Sequence, residues 1–173
     1  SDEPGEDSLD LTAARLAWQY SGVVLDHTMQ LSSVSADSVY SYDEDWSFVG
    51  IAPGWEYSSF DAYLRSNDRS AFEWRSSQSS DSRDWVAGIY LRQDEEQLTR
   101  NYTYLSAPFY SRNKVETRAI FGQLRQSLAR SIDVFTGARI EQRGLDYSDS
   151  INVRESLDKK YWTGHLGIRW QAN

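Results

Sequence analysis

The sequence predicts an all-β chain, a closed antiparallel up-and-down transmembrane β-barrel of eight strands, or of ten if one interrupted segment is a turn. Several segments of about ten residues alternate apolar and polar side chains, the period of a strand with two different faces. Polar spacers between them are long and short in turn, as in barrels with long outer loops and tight periplasmic turns. With 7 Trp, 11 Tyr and a mean hydropathy of −0.67, the chain is aromatic yet polar overall. That combination belongs to a thin apolar band edged by aromatic rings, with the other face wet.

Residues 1–8, which open Ser1-Asp2-Glu3-Pro4-Gly5-Glu6-Asp7, read as a disordered acidic lead-in. Residues 9–173 read as a single barrel domain, an ordinary size for one closed unit. Over 8–20 the pattern fits either a short helix capped by Ser8 or Asp10 or a strand with Ala14, Leu16, Trp18 and Tyr20 on one face; the strand is preferred.

Strands are expected at 21–34, 45–56, 60–75, 84–93, 97–106, 115–128, 131–143 and 159–170. In the second, Trp46, Phe48, Gly50 and Ala52 oppose Ser47, Val49 and Ile51, and Pro53 marks a bulge or end. In the third, Phe60, Ala62 and Leu64 oppose Asp61, Tyr63 and Arg65; Ser66–Ser70 interrupts the phase and is the site of the extra turn in a ten-strand count. Over 84–93, Trp85, Ala87, Ile89 and Leu91 oppose Val86, Gly88, Tyr90 and Arg92. Over 131–143, Ile132, Val134, Ala138 and Ile140 oppose Asp133, Phe135, Gly137, Arg139 and Glu141. The last strand is the clearest: Trp162, Gly164, Leu166, Ile168 and Trp170 against Tyr161, Thr163, His165, Gly167 and Arg169. Long spacers are expected at 35–44, 76–83, 107–114 and 144–158, and short ones near 57–59, 94–96 and 129–130.

No stretch approaches the roughly 20 apolar residues of a spanning helix. The chain has no Cys, which removes disulfides, thiolate metal sites and Cys nucleophiles. A net charge of −8 with no basic cluster argues against nucleic acid.

From residue 115 the pattern becomes familiar. Ser131-Ile-Asp-Val-Phe-Thr-Gly-Ala-Arg-Ile-Glu-Gln-Arg143, an acidic stretch, then Asp158-Lys-Lys-Tyr-Trp-Thr-Gly-His-Leu-Gly-Ile-Arg-Trp170 resembles the closing hairpin of bacterial outer-membrane β-barrels. It is similar to the small OmpA-like barrels and to the β-barrel porin type. The resemblance implies outer-membrane location in a Gram-negative envelope, contact with outer-membrane lipid and lipopolysaccharide, possible contacts with other envelope proteins, and insertion by the barrel-assembly machinery. Trp170 matches the terminal aromatic of that pattern, although Gln171-Ala172-Asn173 follow it.

On the polar faces Asp26, Asp61, Arg65, Arg92, Arg125, Asp133, Arg139, Glu141, His165 and Arg169 are expected to line the lumen. Charges there are tolerable as paired, hydrogen-bonded networks, and an eight-stranded interior is only wide enough for side chains. Trp46, Trp85, Trp162 and Trp170 are expected at the membrane interfaces. His27 has the parity of the lipid side, and neither His has metal-ligand spacing. Asp37, Asp43, Glu44 and Asp45, with Asp146, Asp149, Glu155 and Asp158, are read as solvated loop acids, with divalent-ion binding as the sharper alternative.

No cofactor, metal centre or catalytic set is expected. The leading reading is a structural, complex-forming or narrow-channel barrel. An outer-membrane lipid-modifying enzyme is the second, although no Gly-x-Ser-x-Gly elbow and no loop His are present. A soluble lipocalin-like barrel around a small hydrophobic ligand is the third, because alternation does not say which face is wet.

Overall fold

The computed structural model describes residues 5–46 and 57–171. These form one seven-stranded meander with β1 Glu6–Ser21, β2 Asp26–Trp46, β3 Tyr57–Ser79, β4 Arg83–Tyr102, β5 Phe109–Ala129, β6 Ile132–Asp149 and β7 Arg154–Trp170. Every neighbouring pair is antiparallel, in the order β1-β2-β3-β4-β5-β6-β7. The strands run 16 to 23 residues. A tilted strand crosses a bilayer in about 9–11 residues, so each strand is far longer than a crossing requires.

Connections 22–25, 80–82 and 130–131 lie at one edge, and 103–108 and 150–153 at the other. Local chemistry closes the tight ones. Gly22 N–H donates to Leu25 O at 2.9 Å, and Ser80 N–H donates to Arg83 O at 2.9 Å while Arg83 N–H returns to Ser80 Oγ at 3.1 Å. At 150–153, Asp149 Oδ1 accepts the backbone N–H of Ile151 and Val153 at 3.0 and 2.9 Å, an Asx-type closure. Asn152 there has φ 70°, a left-handed conformation that Asn tolerates better than most residues.

Several sequence expectations change. Residues 8–20 are strand, and Glu6, Asp7 and Ser8, expected in the disordered lead-in, pair with Ser41, Tyr40 and Val39. The expected loop 35–44 is the outer half of β2, and 76–83 shrinks to a three-residue turn. Segment 84–93 and the part of 97–106 up to Tyr102 are one strand, β4, which passes straight through Asp94-Glu95-Glu96, and 103–106 fall in the connection; β3 likewise passes through Ser66–Ser70. Most of 144–158 extends the β6–β7 hairpin. The cause is common to all: the backbone ladder continues where both faces are polar, and there the alternation that marks a strand disappears. The rest of the expected strand 45–56 beyond Trp46 lies outside the described residues.

The sheet is open, not closed, and the described residues supply seven strands rather than eight. β1 and β7 run in the same direction, because an odd number of up-and-down strands separates the two edges. Direct closure of β1 on β7 would be parallel, whereas an up-and-down barrel is antiparallel throughout.

Register assigns every side chain to one of two faces. One carries an apolar belt, which includes the row Trp18, Met29, Trp74, Ile89, Ile120, Ile140 and Trp162, one residue from each strand. On β7 the belt runs from Trp162 to Trp170 with Leu166 and Ile168 between, all four 71–82% exposed. On the same face, beyond the belt, lies the wholly polar row Thr12, Ser35, Asp68, Glu95, Lys114, Asp146 and Ser156. Among the described residues only Ala62 and Ala119 are buried apolar side chains, so the sheet has no hydrophobic core of its own. Its apolar area must be covered by something outside it.

Candidate functional site

The opposite, polar face carries all ten residues expected to line the lumen: Asp26, Asp61, Arg65, Arg92, Arg125, Asp133, Arg139, Glu141, His165 and Arg169. They do not form one network. They are strung along the face in separate clusters, most completed by partners that the sequence reading did not single out.

The best-buried cluster lies near the edge that carries the 103–108 connection. Asp61, fully buried, receives Arg100 Nε–H on Oδ1 at 2.9 Å and Nη2–H on Oδ2 at 2.6 Å. Tyr63 and Tyr42 hydroxyls donate to the same Oδ2 at 3.1 and 3.3 Å. Hydrogen bonds from Arg100 above all, with those from the two tyrosines, hold the Asp61 carboxyl below its ordinary range against the cost of burial. The same bond raises the Arg100 guanidinium further. Its plane also lies over the Tyr63 and Tyr102 rings, 5.1 and 5.0 Å from their centroids.

Further along the face, Asp94 bridges Arg92 and Arg69, each at 2.6 Å. Next, the Phe121 ring lies over Gly88, directly opposite in the register, with Arg75 and Arg139 against it at 5.9 and 6.0 Å. Arg139 pairs with Glu141 at 2.7 Å, and Arg75 with Glu73. A Cβ on Gly88 would meet Trp74 O at 2.5 Å and Phe121 Cζ at 2.7 Å, so only glycine fits. Near the opposite edge Arg169 pairs with Asp133, which also accepts Ser127 Oγ–H at 2.5 Å, and Arg125 pairs with Asp84 at 2.6 Å. The His165 ring lies over Gly137 in the same way. No side-chain partner joins Asp26 or His165 to the other predicted residues.

Of the predicted interface tryptophans, Trp162 and Trp170 bracket the belt on β7, and Trp85 sits in it on β4, its Nε1–H donating to Gln78 Oε1 at 3.0 Å. Trp46 is the last residue of β2, paired with Tyr57 beyond the belt; its side chain lies outside the described residues. Trp18 and Trp74, not among the predicted interface tryptophans, occupy the belt row that ends at Trp162, and His27 stacks between Tyr20 and Trp74 at 6.4 and 6.0 Å on that face.

The acidic groups expected in loops lie instead in strands, where alternation splits them. Asp146 and Asp158 share the belt face, and Asp149 and Glu155 the polar face. Among the described residues no three His, Cys, Asp or Glu side chains come together as a metal site. Beyond the belt, on its own face, Glu95 takes two bonds from Arg112 at 2.7 Å, and chiefly this lowers its pKa from 4.5 to about 2.

No family model matches the sequence, and no curated protein matches it. Solved structures do. The chain is similar to the ferric yersiniabactin uptake receptor FyuA from Yersinia pestis, with TM-score 0.63 and 15% identity over 91% of this chain and 24% of that one. It is similar to the ferric citrate transporter FecA in its unliganded form, with TM-score 0.71 and 14% identity over 94% and 25%. It is also similar to the copper transporter OprC, with TM-score 0.70 and 13% identity over 98% and 29%. At such identity the likeness is one of fold: long antiparallel strands of outer-membrane β-barrels. The chain spans about a quarter of the length of these structures.

Proposed function

We propose that this chain is one arc of the wall of a large bacterial outer-membrane barrel that moves a solute, with the belt against lipid and the polar face toward the lumen. The observation that carries the reading is the change of character along a single face. The belt is apolar for Trp162 to Trp170 on β7, about the span a tilted strand needs. The same face then turns polar in the row from Thr12 to Ser156. A lipocalin-like interior would need that face apolar to fill a core, and burying an unpaired charge there costs several kcal/mol. Strands that cross a bilayer and continue past it meet lipid first and water next.

The open sheet, with parallel edge strands, supports an arc rather than a self-closing barrel. The lipid partner follows from the same geometry. Arg118 and Lys160 lie in the row next to the one that ends at Trp162, where the belt stops on β7 and anionic headgroups such as the phosphates of lipopolysaccharide would sit. Trp170, exposed at the end of edge strand β7, is the feature offered to the assembly machinery.

The test is to export the 173-residue chain alone and within whatever longer chain encodes it. The longer protein is expected in outer membranes as a heat-modifiable, protease-resistant band, and the segment alone is not. Independent insertion of the segment as a protease-resistant monomer would overturn the arc.

A further inference from the structure

On the polar face, past the belt, an open cleft of about 420 Å³ is lined by Ser38, Tyr40, Tyr42, Tyr63 and Arg65. We propose that it binds a small aromatic anion, an aryl carboxylate, on the way through the barrel; the luminal position of the site rests on the function proposed above.

The charge is decided by which groups are already engaged. The Asp61 carboxylate beneath the tyrosines is taken up by Arg100, Tyr63 and Tyr42. The donors left facing the cleft are the Arg65 guanidinium and the hydroxyls of Tyr40 and Ser38. Arg65 differs from Arg69, Arg92, Arg100, Arg125, Arg139 and Arg169, each of which is ion-paired to a carboxylate. Its directly opposite neighbours are Ser38 and Leu98, and among the described residues it has no ion pair. Glu96 faces the same side one diagonal away, and Asp7 stands opposite Tyr40; neither pairs with Arg65. Its Cζ lies 6.0 Å over the Tyr63 ring, and both residues line the cleft, so the planar guanidinium is one of its walls.

The shape of the ligand follows from the walls. The Tyr42 and Tyr63 hydroxyls are committed to Asp61 and the Tyr63 ring already carries Arg65 and Arg100, so the ring surface offered to a ligand is that of Tyr40 and Tyr42, whose centroids lie 6.1 Å apart. Rings for a planar apolar body and a guanidinium with two hydroxyls for one carboxylate make a site for a one- or two-ring acid, and the volume lies within the range of small-molecule sites.

The probe is 1-naphthoate, with 1-naphthalenemethanol as its neutral counterpart, titrated by equilibrium dialysis against the detergent-solubilised full protein. Naphthoate is expected to bind saturably, about tenfold or more tighter than the alcohol, as a charge-assisted pair requires. Arg65→Gln is expected to lose that advantage and Arg65→Lys to keep part of it, while Arg143→Gln, on the same face outside the cleft, leaves it unchanged. No saturable binding, or equal binding by the wild type and Arg65→Gln in preparations with the same heat-modifiable band, overturns the site. Membrane fractionation separates the two readings: inserted protein that fails to bind removes only the cleft. Protein that binds without inserting keeps the cleft and removes its luminal position.

Discussion

Arg100 on β4 grips both carboxylate oxygens of Asp61 on β3, at 2.9 and 2.6 Å, with the acid fully buried and the guanidinium still partly exposed. The pair ties two strands together well past the belt, where no lipid would hold them. Removing the cation strands a buried charge on two tyrosine hydroxyls. Arg100→Gln is therefore expected to cost about 2–3 kcal/mol, less than the loss of a wholly buried partner because one side reaches water. Asp61→Asn should cost less, and the double variant should recover part of the loss. A urea-unfolding double-mutant cycle in detergent checks this; equal and additive losses would show that the two residues do not act as a pair.

The Glu95–Arg112 pair gives a pH dependence with a definite sign. The folded pKa of Glu95 is depressed from 4.5 to about 2, so its contribution is complete above 4.5 and is lost as pH falls toward 2. Wild type should be more stable than Glu95→Gln at neutral pH, with the gap closing between pH 4.5 and 2. Thermal unfolding of both proteins across that window is the measurement, and a gap that persists at pH 2 would refute it.

Gly88→Ala should be poorly tolerated. The added methyl would meet backbone Trp74 O as well as the Phe121 ring, so adjacent strands must shift, at about 1–3 kcal/mol. Trimming Phe121 to Ala in the same background should relieve only part of the cost, because the carbonyl remains. Denaturant midpoints of the single and double variants decide.

At the 150–153 turn, Asn152→Gly should be close to neutral, while Asn152→Ala should cost roughly 1 kcal/mol, because φ 70° disfavours a Cβ-bearing side chain without a local hydrogen bond. Asp149→Ala, which removes the acceptor for two backbone N–H groups, should cost at least as much and make the β6–β7 hairpin more sensitive to protease.

The belt was legible in the sequence because its two faces meet different media: Trp162, Leu166 and Ile168 alternate with Thr163, His165 and Gly167. The outer halves of the strands were not. Through Asp94-Glu95-Glu96 in β4 and Ser35–Glu44 in β2 both faces are wet, and polarity there looks like a loop. That misreading split β4 in two; the expected eight also counted 45–56 as a strand of its own and left β1 out, whereas the described residues form seven. It also hid Arg100 and Asp94, the partners of the predicted Asp61 and Arg92. Parity placed all ten predicted luminal residues on one face, but pairing depends on register, which no single sequence prints.

The central claim is that the belt face meets lipid and the polar face water. The chain has no Cys, so single cysteines at His165, Leu166, Gly167 and Ile168 can each carry a spin label in the membrane-inserted protein. Leu166 and Ile168 are expected to show high collision with oxygen and low collision with a water-soluble nickel chelate, and His165 and Gly167 the reverse. Uniform accessibility along 165–168, or alternation in the opposite phase, would contradict the account.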